Sequence, residues 1–257
     1  MNPRNPGSDI RPRLYDSYVS TFKQENAMLT ASELAHYYKW CDARYYLALE
    51  SLPKSAAILE LGCGHGRMLH YLHQKGFTNV KGIDISAEQI AIAKRHGLDA
   101  EQADVFEYLN SINSSPLQGE RLGEGSFDCI IAIDFVEHFT KDELLRLVEL
   151  LREKMSPCGI ILLQTVNGEG LFPQQIIYGD LTHQTILSPG SMGQLLAAIG
   201  FKDVKCTETS PLANGVIGIV RSSLWSLIRT AANVIRKIES GKSQSVWTEN
   251  FICTARR

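Results

Sequence analysis

The chain has 257 residues, 44% of them hydrophobic, and a formal net charge of −2. This length suits one α/β domain with a sizeable core, and the near-neutral charge gives no overall attraction to nucleic acid. Residues 1–16 lack the apolar core of a signal peptide, and no apolar run approaches the ~20 residues that span a bilayer. We therefore expect a cytoplasmic protein, in which the six cysteines, none in a CxxC pair, are reduced thiols.

The N-terminal part of the chain divides into two segments. Residues 1–13 have the polar, proline-bearing composition of a disordered arm, whereas residues 14–55 are rich in tyrosine. Ser32 is a candidate N-cap for a helix that ends before Pro53. We predict that residues 14–55 form a helical cap packed over the sheet, with closure over a ligand pocket as the alternative.

The segment from Ala57 to Met68 carries the most informative motif, AILELGCGHGRM. Its apolar start predicts a buried strand, its three alternate glycines predict a turn, and the spacing from Met68 onward predicts a helix. Because glycine has no Cβ, the backbone of such a loop can lie directly against a ligand. The dinucleotide-binding fingerprint has its third glycine at position 67, where this chain has arginine, which disfavours an NAD-dependent oxidoreductase.

Strands and helices alternate through the rest of the chain. Helix-capping sequences begin at Ser86, Thr140 and Ser188, residues 111–126 are predicted to be an exposed insertion, and residues 167–187 a long functional loop. The alternation predicts a parallel sheet with helices on both faces and a ligand at the carboxyl ends of the strands. The predicted strands after the glycine loop cover residues 80–84, 100–102, 127–133, 159–166, 201–206 and 251–255.

Glu60 together with Gly62, Gly64 and Gly66 resembles the nucleotide loop of the S-adenosylmethionine-dependent methyltransferases with a Rossmann-like fold. The resemblance implies S-adenosylmethionine as the cofactor. It also implies an α/β fold with a doubly wound sheet of seven strands, mostly parallel, in which the last strand is antiparallel. By this resemblance the chain is a single methyltransferase domain, whose parts after the cap are a cofactor-binding core over residues 56–206, a helical insertion over residues 207–246 and a final strand within residues 247–257.

Acidic residues at the strand ends are the predicted cofactor ligands. Asp84 follows the glycines by about twenty residues, where a carboxylate can accept hydrogen bonds from both ribose hydroxyls. By the resemblance, Asp104 accepts from the adenine amino group, the Val105 N–H meets the adenine ring and Glu60 lies near the methionine ammonium group. Each aspartate has a helix cap as its alternative role. The predicted cofactor-binding set is Glu60, Gly62, Cys63, Gly64, Gly66, Asp84, Ile85, Asp104, Val105, Asp134 and Phe135.

The end of strand four, near the expected methyl group, carries Glu137 and His138. This pair resembles ubiquinone-biosynthesis O-methyltransferases and methyltransferases of surface-glycan and natural-product pathways, and Asp180-x-Thr182-His183 resembles the glycan-pathway members. We predict that His183 takes a proton from the acceptor, facing the pocket from the side opposite His138, with a backbone-bonded loop histidine as the alternative. His138 is the second catalytic candidate, with a structural role as its alternative. A divalent metal held by Glu137, His138 and His183 stays open as an alternative, but ligands so scattered in sequence are poor evidence, and no metal site is predicted.

These features predict an enzyme that O-methylates a small molecule or a glycan, including a lipid-linked precursor, by in-line methyl transfer. The Asn-Pro-Pro-aromatic motif of enzymes that methylate adenine or glutamine is absent at strand four, and no nucleic-acid partner is expected. Two alternatives stay open: a cofactor-binding scaffold without catalysis, and an NAD-dependent oxidoreductase. The acceptor and the oligomeric state are not predicted.

The insertion before the last strand contains a basic amphipathic segment. Its apolar residues fall at helical spacing over residues 223–238. The expected role is a helix packed on the domain, either as a lid over the acceptor or as plain packing. The alternative is peripheral membrane contact through residues 221–239, in which the basic residues Arg229, Arg236 and Lys237, with Arg221 just ahead of them, face anionic lipid and Trp225 lies at the boundary.

Overall fold

The computed structural model describes residues 31–112 and 126–257, together with Arg11 and Leu14. The rest of the predicted N-terminal arm, residues 15–30 of the predicted helical cap and most of the predicted insertion over residues 111–126 lie outside the described residues. No helix within the described part of the chain combines the length and the apolar content needed to cross a bilayer.

Seven strands form a single sheet. They are Ala57–Leu61 (β1), Asn79–Asp84 (β2), Ala100–Gln102 (β3), Phe127–Ile133 (β4), Met155–Val166 (β5), Lys202–Glu208 (β6) and Asn250–Arg256 (β7). Their order across the sheet is β3-β2-β1-β4-β5-β7-β6; β7 is antiparallel to both of its neighbours and the other pairs are parallel. The predicted seven-stranded sheet with an antiparallel last strand is confirmed.

Nine α-helices accompany the sheet within the described residues. They are Ala31–Arg44 (α1), Tyr46–Leu49 (α2), Arg67–Gln74 (α3), Ala87–Arg95 (α4), Val105–Ser111 (α5), Lys141–Lys154 (α6), Gln174–Gly179 (α7), Pro189–Ile199 (α8) and Gly215–Ser240 (α9). Thr140 and Ser188 form complete capping boxes at the starts of α6 and α8. Ser86 caps α4 by accepting from the Gln89 N–H, but the Gln89 side chain lies against His65 instead of completing the box.

The N-terminal helices pack against the sheet. Ser32 lies within α1 instead of capping it, because the helix begins one residue earlier. Cys41, Tyr45 and Leu49 are fully buried. The Tyr45 hydroxyl donates to Oε1 of Gln164 on β5 at 2.7 Å, which ties this segment to the centre of the sheet.

The core has one half on each face of the sheet, as a doubly wound fold requires. Along β4, Ile130 and Ala132 belong to one buried cluster, while Cys129 and Ile131 belong to the other. The order in which successive strands are added to the sheet reverses between β1 and β4. These two strands are neighbours, although β2 and β3 separate them in sequence. In open α/β sheets a ligand binds at such a switch point, beside the carboxyl ends of the strands.

Two segments differ from their predictions. The segment over residues 167–187, predicted as a loop without periodicity, contains the short helix α7. The predicted amphipathic helix forms as part of α9, but none of its residues is buried. The prediction that its apolar side packs on the domain, as a lid or otherwise, is therefore wrong, because that side faces away from the fold.

Candidate active site

A cavity of about 380 Å³ lies at the carboxyl ends of β1, β2 and β4. This volume is in the range typical of small-molecule sites. Its lining includes His138 and, of the predicted cofactor-binding residues, Glu60, Gly62, Cys63, Gly64, Asp84, Ile85, Asp104, Val105, Asp134 and Phe135. The predicted residue Gly66 is not part of this lining.

The glycine loop requires glycine at each of its three positions. Gly62, Gly64 and Gly66 have φ values of 67°, 54° and 90°, in the region that side chains disfavour. A Cβ on Gly62 would lie 2.6 Å from the ring of Phe135, and one on Gly66 would lie 2.3 Å from Leu98. Gly62 therefore lets an aromatic ring of β4's end pack against the loop, whereas Gly66 serves the packing at the start of α3.

Asp84 fastens the glycine loop to the end of β2. Its Oδ2 accepts from the Gly64 N–H at 2.9 Å, and its Oδ1 accepts from the Ser86 N–H at 2.8 Å. Burial raises the pKa of Asp84, and these two backbone donors oppose that rise. Because a carboxylate offers about four acceptor positions, the side chain retains the capacity to bind two further hydroxyl donors.

Glu60 is the most unusual group in the cavity. It is only 4% exposed, and its Oε2 has no hydrogen-bond partner within the described residues. Burial, and secondly the nearby Asp84 charge, raise the pKa of Glu60 well above its ordinary value. A buried carboxylate oxygen without a partner is costly, so this oxygen is suited to a cationic ligand that enters the cavity.

Asp104 acts as a helix cap and also faces the cavity. Its Oδ1 accepts from the N–H groups of Phe106 and Glu107 at the start of α5, at 2.8 and 3.1 Å. The capping alternative is therefore realised in the structure. Since both bonds use Oδ1 and the residue lines the cavity, capping is compatible with a ligand contact through the other oxygen.

Asp134 holds a strained backbone conformation at the end of β4. Its φ of 50° is uncommon for a residue other than glycine, and such conformations concentrate at functional sites. The side chain of Gln164 donates to its Oδ1 at 3.0 Å, and Asn250 donates to the same oxygen at 3.4 Å. Because Gln164 also accepts from Tyr45, a hydrogen-bonded chain links the N-terminal helices to the cavity.

His138 contacts the hydrogen-bonded pair of Thr182 and Asp180. The Thr182 hydroxyl lies 2.5 Å from Oδ1 of Asp180, to which it donates, and 2.8 Å from Nδ1 of His138. Since a hydroxyl has one hydrogen, this contact favours the tautomer of His138 that carries its proton on Nδ1. Burial, and secondly the neighbouring His183, lower the pKa of His138 to about 4, so its ring is neutral at ordinary pH.

His183 lies beside His138 and not across the cavity from it. The two ring centroids are 5.0 Å apart, and His183 is absent from the cavity lining. Its Nδ1 lies 3.3 Å from the Ile177 carbonyl, the backbone contact that the alternative interpretation described. The predicted position on the opposite side is therefore wrong, although both histidines do meet at one place.

Glu137 attaches the loop that carries His183. Its backbone carbonyl accepts from the N–H groups of Gln184 and Thr185, at 2.8 and 3.1 Å, and its Oε2 accepts from the Thr165 hydroxyl at 2.9 Å. Burial, and secondly the Asp134 charge, raise its pKa to about 8. Ligand atoms of Glu137, His138 and His183 lie within 4.8 Å of one another. The fold therefore brings together three residues of metal-binding types that are far apart in the sequence.

Arg11 and Tyr37 line the cavity but were not predicted. Arg11 donates to the His138 carbonyl at 2.9 Å and pairs through both terminal nitrogens with Glu143, at 3.1 Å each. Burial raises the pKa of Tyr37 well above its ordinary value, so its hydroxyl stays protonated. The only sequence signal was the tyrosine-rich composition before the glycine loop; a single arginine in a polar arm gives none.

A family model described as a methyltransferase domain matches residues 33–205, about two thirds of the chain. The chain belongs to this family. The methyltransferase match begins in α1 and runs through the glycine loop, Asp84, the end of β4 and the histidine pair. It therefore includes most of the residues that line the cavity.

Relatives of this methyltransferase differ in what their names say they methylate. A ubiquinone biosynthesis O-methyltransferase of Pasteurella multocida is 28% identical over 116 residues, which cover 43% of this chain and 46% of that protein. Ajmaline N-methyltransferase of Rauvolfia serpentina is 31% identical over 128 residues, covering 49% and 41% of the two chains. The chain spans about half the length of the curated relatives it matches.

Solved structures of low sequence identity share the fold. A SAM-dependent methyltransferase from Archaeoglobus fulgidus has a TM-score of 0.62 at 20% identity, with 86% of this chain and 94% of that chain covered. The plantazolicin methyltransferase BpumL, in complex with a monoazolic desmethylPZN analogue and SAH, has a TM-score of 0.55 at 18% identity, with 96% and 95% covered. These likenesses extend over nearly the whole chain and concern its architecture.

Proposed function

We propose that the protein is an S-adenosylmethionine-dependent methyltransferase that methylates a hydroxyl group of a small molecule or glycan. The observation that carries the proposal is the buried Glu60 carboxyl group, whose Oε2 has no partner among the described residues, beneath a loop of three glycines. The ammonium group of a methionine moiety supplies the cation that this oxygen lacks. NAD carries no ammonium group, so Glu60 also disfavours the oxidoreductase alternative.

Other cavity residues would each contact a different part of the cofactor. Asp84, fixed by two backbone donors, would accept from the ribose hydroxyls. Asp104 and Val105 would meet the adenine, beside the Phe106 ring that also lines the cavity. Bound S-adenosylmethionine supplies a methyl group already activated on a sulfonium. The protein then needs to align the acceptor, exclude water and take up the proton that a hydroxyl acceptor releases.

His138 is the group we assign to that proton. It lines the cavity, and its contact with Thr182 favours a proton on Nδ1, so we assign Nε2 as the nitrogen that accepts. His183, 5.0 Å away and outside the lining, is proposed to orient His138 and the acceptor. A neutral amine does not need a base to the same extent, so the histidine pair favours oxygen over nitrogen as the methylated atom.

The experiment that tests this function is a turnover assay that follows S-adenosylhomocysteine with a panel of hydroxylated and aminated acceptors. The proposal predicts turnover with at least one hydroxylated small molecule or glycan, including lipid-linked forms, and loss of that turnover in His138→Ala. Turnover confined to amines would overturn the assignment of oxygen. Cofactor binding without turnover across the panel would favour the non-catalytic scaffold.

A further inference from the structure

Helix α9 rests on the domain through one side only. Arg229 donates to Oε2 of Glu208 at 2.7 Å, and the Trp225 indole N–H donates to the same oxygen at 3.4 Å. Asn233 accepts from the Gln244 N–H at 2.8 Å. Residues 225, 229 and 233 are spaced by four, so they share one side of the helix. The half-buried residues of α9 all lie on that side: Gly218, Ser222, Trp225, Arg229, Ala232, Asn233 and Arg236.

The opposite side of α9 is apolar and points away from the domain. Since successive residues of a helix are about 100° apart, ten apolar side chains fall within an arc of about 120°, and no polar residue interrupts them. Their exposure is high: Ile217 is exposed by 78%, Leu227 by 68% and Ile238 by 83%. We define this outward face as Val216, Ile217, Val220, Leu224, Leu227, Ile228, Ala231, Val234, Ile235 and Ile238.

The outward face is both long and broad. Helix α9 has 26 residues and is therefore about 39 Å long. Soluble monomers rarely expose a large contiguous apolar patch, and such a patch marks a site of contact with a protein or a membrane. The arc is broader than the narrow seam that helices share in a coiled coil, so it suits a flat apolar surface better than a single partner helix.

The charges around the outward face favour an anionic partner. Helix α9 carries four basic residues and one acidic residue, although the chain as a whole has a net charge of −2. Arg221 flanks one edge of the outward face, Lys237 lies beyond the other edge, and both are exposed. Lys242, two residues after the helix, is exposed as well. From these positions long basic side chains can reach a layer of negative charge that borders an apolar layer.

Three of the residues expected at a lipid surface face the domain instead. Trp225 and Arg229 bind Glu208, and Arg236 lies on the same side of the helix. These residues hold α9 against the domain, which leaves the apolar side and its flanking cations directed outward. An apolar sector with basic residues beside it is typical of helices that lie in the plane of a membrane interface.

We propose that the outward face of α9 is a peripheral membrane-binding surface, which lies parallel to a bilayer that contains anionic phospholipid. The apolar side chains enter the boundary between headgroups and acyl chains, while Arg221 and Lys237 bind the anionic headgroups. The proposal is independent of the methyltransferase activity, since α9 contributes no residue to the lining of the cavity.

The test is flotation of the full chain with vesicles of phosphatidylcholine alone or mixed with phosphatidylglycerol. Leu227→Glu places a charge in the outward face, whereas the control Ser226→Glu adds the same charge at an exposed position outside it. The double variant Arg221→Gln/Lys237→Gln removes the two flanking charges.

We expect the wild type and Ser226→Glu to bind the mixed vesicles equally well, and at least tenfold more tightly than phosphatidylcholine alone. Leu227→Glu and the double variant should each bind the mixed vesicles at least tenfold more weakly, with unchanged circular dichroism spectra.

Other results would overturn the proposal. A wild type that does not float with the mixed vesicles would do so, as would equal flotation of Leu227→Glu, since lipid would then contact another surface. Equal binding to both kinds of vesicle, or a double variant that binds like the wild type, would refute anionic lipid as the partner. Sedimentation equilibrium without vesicles tests the rival occupant. A wild-type dimer that Leu227→Glu dissociates, together with no flotation, would show that a second copy of the chain covers the outward face.

Discussion

Replacement of Glu60 by glutamine should improve one property of the protein and impair another. Glutamine keeps the shape of the side chain and removes its charge. In the ligand-free protein, the Glu60 carboxyl is buried, with an unpartnered oxygen and a raised pKa. In the complex, the same charge is proposed to hold the ammonium group of the cofactor. Glu60→Gln should therefore leave the ligand-free protein as stable as the wild type or more so, and weaken the cofactor complex.

The magnitudes follow from the burial of this group. A buried carboxyl that can ionise costs more than a buried neutral amide of the same shape, so Glu60→Gln should raise the free energy of unfolding at pH 8 by on the order of 1 kcal/mol. Loss of a charge-assisted hydrogen bond costs about 1.5–3 kcal/mol, which corresponds to roughly 10- to 150-fold weaker binding of S-adenosylhomocysteine. The opposite signs distinguish a functional carboxyl group from a structural one.

The stability difference should depend on pH in a defined direction. The folded protein binds the Glu60 proton more tightly than the unfolded chain, whose pKa is near the ordinary value of 4.5. Wild-type stability therefore falls as the pH rises above that value toward the raised pKa, and the variant lacks this contribution.

Urea denaturation of both proteins at pH 5 and pH 8, and calorimetry with S-adenosylhomocysteine, measure the two effects. Glu149→Gln, an exposed carboxylate change, is the control. A variant that is less stable without ligand and binds normally would refute the reasoning.

Further predictions concern the remaining cavity residues. Asp84→Ala should weaken S-adenosylhomocysteine binding by roughly 1–3 kcal/mol, whereas the exposed Asp99→Ala should not; equal affinities in a calorimeter would mean that the ligand lies elsewhere. Gly64→Val should weaken binding at least as much, because the loop there requires a positive φ. His183→Ala should lower turnover roughly 10²-fold with cofactor affinity nearly intact, and unchanged turnover would make it an ordinary loop residue. Because burial lowers the pKa of His138 to about 4, its neutral form, and the proton uptake assigned to it, should be lost only as the pH falls through that value.

The sequence predicted the cavity because its residues follow local rules. Asp84 and Asp104 each close a strand, so alternation alone brings them to one edge of the sheet. Glu60 and the glycines belong to a continuous motif, and its spacing fixes their relation to the loop. Gly66 shows what such a motif does not predict. It belongs to the motif but does not line the cavity, and a side chain there is excluded by contact with Leu98, a residue distant in sequence.

Long-range placement could not be predicted in the same way. The contact of His183 with His138 depends on how Glu137 fastens the loop through its backbone carbonyl, and backbone acceptors leave no trace in a sequence. For α9, the period of the apolar residues predicted a helix, but period alone does not tell which side meets the domain. The anchor through Arg229 and Glu208 decides this, and it turns the apolar side outward.

The most direct test of the account is a calorimetric titration of the purified full chain with S-adenosylmethionine, S-adenosylhomocysteine and NAD. The account predicts saturable binding of the first two, each weakened in Glu60→Gln, and no heat of binding with NAD. Binding of NAD without binding of either sulfur compound would contradict the assignment of the cavity.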